Sequence, residues 1–277
     1  MGMRITTNVA SVNAQRSMSG AQREIQKSFA QLSSGSRITK AADDAAGLSI
    51  SENLKAVSRS LQQASRNAND GISMVQVAEG GLNEISNIMT RLRELGIQAS
   101  SDTVGDRERG FINKEVQNLT EEADRIARTT KFSGVNLLDG TGVKFDFQVG
   151  IHNDQKLDRI SYDAAETNAT ASALGIEGID FSSKEGAQEA LNVIDEAQVK
   201  ANGFRANLGA LQNRLGSTVD NLGVSYENLA AANSRIRDTD IAMATAELTR
   251  NNILLNASVS TLAQANNAPQ MALKLIG

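Results

Sequence analysis

His152 is the only histidine in the chain, so acid–base or metal chemistry would have to begin there. A zinc site needs three or four converging ligands, and a lone imidazole beside Asn153-Asp154 reads as a polar turn. A Ser–His–Asp triad needs a single histidine, yet no nucleophile turn accompanies this one. Adjacent carboxylates occur at Asp43-Asp44 and Glu121-Glu122. On a helix they point about 100° apart, which suits capping and solvation rather than shared proton transfer. Gly140-Thr141-Gly142 lacks the third glycine, the lysine and the strand-to-helix setting of a phosphate loop. Asn168-Ala169-Thr170 matches a glycosylation acceptor, but one that depends on a secretory route. Cysteine is absent, which removes disulfides, thiolate ligands and cysteine nucleophiles together. The chain reads as a non-enzyme, with no catalytic residue, no metal site and no cofactor.

Without a site to position, the elements must serve another purpose. Aromatic residues make up 3% of the chain, and the single proline, Pro269, lies near its end. Aromatics usually anchor compact cores and pockets, so long helices fit this composition better than a globular enzyme. Net charge is −4, which argues against nucleic acid as a partner. No run approaches the roughly 18 apolar residues of a membrane span, so no membrane insertion is expected. The first residues, Met1 to Thr6, lack the apolar stretch of a secretory signal.

The apolar spacing is helical almost throughout. Ile5, Val9, Val12, Met18, Ala21, Ile25, Phe29 and Leu32 recur at steps of three or four, with one gap of six. At the other end Ile241, Leu248, Leu255 and Leu262 recur every seventh residue, with Val259 between them. Such narrow stripes are seams that another helix covers. Residues 1–40 carry six bases against one acid, whereas residues 251–277 hold one charge, Lys274, among many amides. A free surface helix carries charge on its outer face, so the C-terminal stretch is suited to being covered all round.

Between the ends, an apolar pattern from Leu54 to Leu92 predicts a helix about 58 Å long. Gly71, Gly80 and Gly81 weaken it and leave room for close approach. Gly35 suits a left-handed cap for the first helix, and Asp43 and Asp44 suit the start of the next. Ile112 to Ile126 and Ala187 to Leu222 predict two more helices, the first of which should pair with the long helix across a short link. Val143, Phe145, Phe147 and Val149 alternate with polar residues, which predicts a strand preceded by Gly-rich turns. The fold class is mainly α: an elongated antiparallel helical bundle or coiled coil, with a small β-hairpin region inserted mid-chain and paired N- and C-terminal helices.

Particular strings go further than periodicity. Leu32-Ser-Ser-Gly-Ser-Arg-Ile-Thr-Lys-Ala-Ala-Asp-Asp-Ala-Ala-Gly-Leu-Ser-Ile-Ser51 and Arg66-Asn-Ala-Asn-Asp-Gly-Ile-Ser-Met-Val-Gln-Val-Ala-Glu79 resemble the N-terminal signature of bacterial flagellins. Lys131-Phe-Ser-Gly-Val-Asn-Leu-Leu138 resembles the family's approach to its β region. Ala232-Asn-Ser-Arg-Ile-Arg-Asp-Thr-Asp-Ile-Ala242 and Leu262-Ala-Gln-Ala-Asn-Asn-Ala-Pro-Gln-Met-Ala-Leu273 resemble the C-terminal signature.

The resemblance implies a filament subunit whose terminal arms, 1–40 and 235–277, form an inner coiled-coil domain around a homopolymer axis. A rod domain, 41–234, would hold helices at about 45–100, 105–129 and 184–232 and a β region at 131–183, without the large outer domains of longer family members. The implied polymerisation seam is Ile5, Val9, Val12, Met18, Ile25, Phe29, Leu32, Ile241, Leu248, Leu255, Val259 and Leu262. Other implied partners are the flagellar type III export apparatus, an export chaperone at the C-terminal helix, and the filament cap and hook–filament junction proteins. The implied location is the extracellular flagellum, reached without a cleaved signal peptide. Recognition by Toll-like receptor 5 is also implied, through Arg91, Leu92, Arg93 and Leu95 with Glu115 on the next helix; Leu119 stands where the family often has arginine. A hook–filament junction protein, or a cytoplasmic coiled-coil adaptor, remains the alternative.

Overall fold

The computed structural model describes residues 7–276, with side chains through residue 267. Among these the order is α1 (Val9–Ser34), α2 (Ala45–Ala99), α3 (Asp106–Thr129), β1 (Lys131–Phe132), β2 (Val135–Asn136), β3 (Lys144–Gln148), β4 (Arg159–Asp163), α4 (Ala171–Leu174), α5 (Lys184–Arg237) and α6 (Ile241–Ile276). The chain is mainly α, as its spacing predicts. It divides into two compact units, one reaching Ala56 and resuming at Asn228, the other Val57–Glu227.

In the terminal unit, Asn8 caps α1: its Oδ1 accepts the Ser11 N–H at 3.1 Å. The helix stops at Gly35, whose φ of 68° is left-handed and costs a glycine little. The chain then lies against the turn between α5 and α6. Arg37 N donates to Arg237 O at 2.6 Å, and Thr239 N donates to Gly35 O at 2.9 Å. The Arg37 guanidinium reaches Ile236 O at 2.7 Å, and Ile38 is buried beneath. The two aspartates at 43 and 44 divide the expected capping between them. Asp44 Oδ1 accepts Gly47 N at 2.8 Å and so caps α2. Asp43 instead ties the preceding turn, accepting Lys40 N at 2.9 Å and Thr39 Oγ1 at 2.9 Å.

The central unit is a helical bundle. Arg91 on α2 pairs with Glu115 on α3, while Gly81 lies against Thr130, just past the end of α3. These two helices are therefore antiparallel. Arg93 pairs with Asp195, and Gly71 lies against Leu215, so α5 also runs antiparallel to α2. Leu82, Ile85, Met89, Leu92 and Leu95 of α2 meet Val116 and Ala123 of α3 and Ile194, Ala197 and Leu208 of α5 in one continuous core. Arg109 closes the α2–α3 link from inside: its guanidinium donates to Ala99 O at 2.9 Å, Ser101 O at 3.0 Å and Asp106 Oδ1 at 2.8 Å.

The β region holds two hairpins. β1 and β2 join through Ser133-Gly134, both at positive φ, the geometry that matches strand twist in a two-residue turn. β3 covers the core of the expected strand and pairs antiparallel with β4, with Phe145 opposite Tyr162 and Phe147 opposite Ile160. Phe145 and Tyr162 stack at 6.4 Å. The Tyr162 hydroxyl donates to Leu137 O at 3.2 Å, and burial pushes its phenol above the usual value. α5 runs to Arg237, five residues beyond the end that the resemblance implies, and Arg237 is engaged there with Ser51 and Glu52.

Candidate assembly site

The helix pair α1 and α6 carries the residues that the apolar stripes single out. Asn8 Nδ2 donates to Ala265 O at 2.8 Å, and Ser11 Oγ donates to Asn266 Oδ1 at 2.9 Å. With the Gly35–Thr239 bond at the other end, these contacts fix an antiparallel register. At heptad spacing the covered positions of α1 are Ser11, Ala14, Met18, Ala21, Ile25, Ser28 and Leu32, and those of α6 are Ala244, Leu248, Asn251, Leu255, Ser258, Leu262 and Ala265; Gly20, Gln31 and Glu247 beside them are half-buried as well. Both sets step by alternating threes and fours, the heptad rhythm. Alanine, serine and asparagine hold eight of these fourteen positions, and small side chains let two helices approach closely.

The structure thus divides the sequence-derived stripe. Met18, Ile25, Leu32, Leu248, Leu255 and Leu262 lie on this intramolecular seam. Val9, Val12, Phe29, Ile241 and Val259 do not: Val12 is 54% exposed, Phe29 63% and Ile241 64%. Ile5 lies outside the described residues. The gap of six between Val12 and Met18 marks where the stripe changes face. At 100° per residue, Val12 stands on the side opposite Ala14. Ile241 keeps the seven-residue spacing but occupies the first position of α6. An apolar scan passes over Ser11, Ala14, Ser28, Asn251 and Ser258; heptad spacing of small residues is the signal that finds them.

What remains exposed differs between the two helices. Arg16, Arg23 and Lys27 stand on the outer side of α1. On α6, Glu247 and Arg250 face each other at 3.8 Å, and from Asn251 to Asn267 the sequence has no ionisable side chain. Ile253, Leu254 and Val259 are half or more exposed there. A shallow groove on this helix is lined by Ala242, Thr245, Ala246, Thr249, Arg250, Ile253 and Leu254. An apolar face with Arg250 as its one charge is close to what an interface core needs, since charge is depleted where partners exclude water.

The second candidate surface lies in the central unit. Arg91 donates to Glu115 at 2.9 and 3.0 Å and to Glu94 at 3.0 Å. Glu115 first, then Glu94, holds its guanidinium further above the ordinary value. Arg93 donates to Asp195 at 2.7 Å. Leu92 and Leu95 are not on this surface; both are buried in the bundle core, and Leu119 packs partly against the same core. Only the charged heads face outward.

Among the described residues no group of three or more His, Asp or Glu side chains is placed to hold a metal, and no helix is long and apolar enough to cross a membrane.

Residues 5–142 match the family model for the bacterial flagellin N-terminal helical region, and residues 191–276 match that for the bacterial flagellin C-terminal helical region. The chain is 44% identical to a flagellin of Halalkalibacterium halodurans over 99% of its own length and 100% of that protein's. It is 39% identical to the flagellar filament core protein flaB2 of Brachyspira hyodysenteriae over the same shares. The crystal structure of Bacillus cereus flagellin superposes with a TM-score of 0.51 at 29% identity, covering 61% of this chain and 94% of that one. With both ends and most of the length accounted for, the chain belongs to the bacterial flagellin family.

Proposed function

We propose that this flagellin is the structural subunit of a flagellar filament and works by polymerising with copies of itself. The observation that carries the reading is the pairing of α1 with α6 along one seam while a second, apolar and nearly uncharged face of α6 stays exposed. The first face holds the subunit's own ends together; the second is free for neighbouring copies. Its apolar area would stabilise each contact at about 25 cal/mol per Å². Contacts between unlike faces that do not close into a ring generate a helical polymer. The role is mechanical rather than catalytic.

The family resemblance adds partners to this reading. The flagellar type III apparatus would export the chain, with a chaperone covering the exposed face of α6 beforehand. Cap and junction proteins would receive it at the filament ends. Toll-like receptor 5 would read the Arg91, Arg93 and Glu115 heads, with Leu92 and Leu95 acting from beneath as supports. The test is removal of residues 241–277, followed by incubation with filament seeds and electron microscopy. The truncated protein is expected to add nothing to the seeds; normal filaments would overturn the proposal.

A further inference from the structure

A cleft of about 450 Å³ opens between the β3–β4 connection and the middle of α5. Lys156, Arg159 and Arg214 line it together with Asn213, Ser217 and Thr218, and no carboxylate is among its lining residues. Lys156 and Arg159 share one short segment, and the fold brings Arg214, more than 50 residues further along the chain, to them.

The nearby acids make no ion pair with them among the described residues. Asp154 Oδ1 is turned to the backbone, accepting Lys156 N at 2.8 Å and Leu157 N at 3.1 Å. Asp158 is buried; its Oδ2 accepts Asp154 N at 2.9 Å, and its Oδ1 lies against Gly150, where a Cβ would come within 1.8 Å. Arg159 is held by neutral groups, Gln148 Oε1 at 3.1 Å and Asn153 Oδ1, which orient the guanidinium and leave its charge intact. The Lys156 ammonium and the Arg214 guanidinium have no ion-pair partner among the described residues. Thr218 spends its hydroxyl proton on Arg214 O at 2.8 Å, whereas the Asn213 amide and Ser217 hydroxyl remain donors.

We propose that this cleft binds a doubly charged oxyanion of the phosphate or sulfate class. Guanidinium forks match tetrahedral oxyanions in geometry, and three converging cations balance a dianion better than a single carboxylate. The anion would come either as the free ion or as a monoester on a larger molecule; both present the same three oxygens.

The test is an NMR titration of the full chain, kept monomeric by dilution, at constant ionic strength with chloride as the compensating ion. Inorganic phosphate and methyl phosphate are the two probes, and the tighter of them identifies the source. Saturable shifts are expected at Leu157, Asn213 and Ser217. Arg214→Gln and Lys156→Gln should each raise the Kd about tenfold, the loss of one charge-assisted hydrogen bond. Lys200→Gln, an exposed change elsewhere on α5, should bind like the parent. Shifts that chloride reproduces, that do not saturate, or that persist unchanged in Arg214→Gln would overturn the proposal. Because the readout is on monomer, it does not depend on whether filaments form.

Discussion

Gly80 and Gly81 are neighbours in one helix, yet they do opposite things. A Cβ on Gly81 would fall 2.6 Å from Thr130 Oγ1 and 2.8 Å from Leu138 Cδ1, whereas one on Gly80 meets nothing within 4 Å. Gly81→Ala should therefore destabilise the monomer by about 1–3 kcal/mol through overpacking. Gly80→Ala should stabilise it by about 0.5–1 kcal/mol, the ordinary helix cost of glycine. Chemical denaturation of both variants checks the pair, and equal signs would contradict the packing described. The sequence shows two glycines in a helical pattern but cannot tell them apart, because the distinguishing atoms lie some 50 residues away. Asp43 makes a second residue-scale case. The Lys40 amide, then the Thr39 hydroxyl and amide, hold its carboxyl below the ordinary 3.8. A carboxylate with a depressed folded pKa adds stability above the unfolded value and loses it as pH falls through the folded one. The Lys40 amide signal should accordingly titrate with a midpoint below 3.8; a midpoint at or above it would remove Asp43 from this role.

At the scale of elements, the helices were largely legible and the seam in part. Spacing located α2, α3 and α5, and Gly35 and the 100–105 break marked ends that the structure also has. The β4 strand escaped notice because only Ile160 and Tyr162 alternate within it, too short a pattern to separate from a loop. Eight of the fourteen α1–α6 seam positions are alanine, serine or asparagine, which a scan for large apolar residues passes over, while Val12 and Phe29 of the stripe lie on exposed faces. The two faces predict separable effects. Ala21→Leu adds bulk at a buried position of the seam, and should cost about 1–3 kcal/mol of monomer stability. Phe29→Ala, at an exposed position, should stay within about 0.5 kcal/mol. Unfolding followed by circular dichroism tests both, and a large loss at Phe29 would mean that the chain itself covers that face.

At the scale of the whole molecule, membership of the flagellin family and the pairing of α1 with α6 point the same way. His152 has a structural part in the fold. Its carbonyl accepts Gln148 Nε2 at 2.8 Å, as part of a turn, and no second histidine exists to join it. Family membership was legible because the signature strings lie in the helices and turns that build both units, from the Gly35 stop to the core-facing positions of α2. The anion cleft was not, since Lys156, Arg159 and Arg214 form no motif until the fold assembles them.

On this reading the inner seam holds the subunit together, and the outer faces of the terminal helices join it to other copies. The critical concentration for seeded polymerisation of the double variant Phe29→Ser, Ile253→Ser tests this most directly. Losing two apolar contacts of about 1.5–3 kcal/mol each when fully buried should raise it at least tenfold or so, with the monomer's unfolding midpoint unchanged. A critical concentration equal to the parent's would contradict the claim.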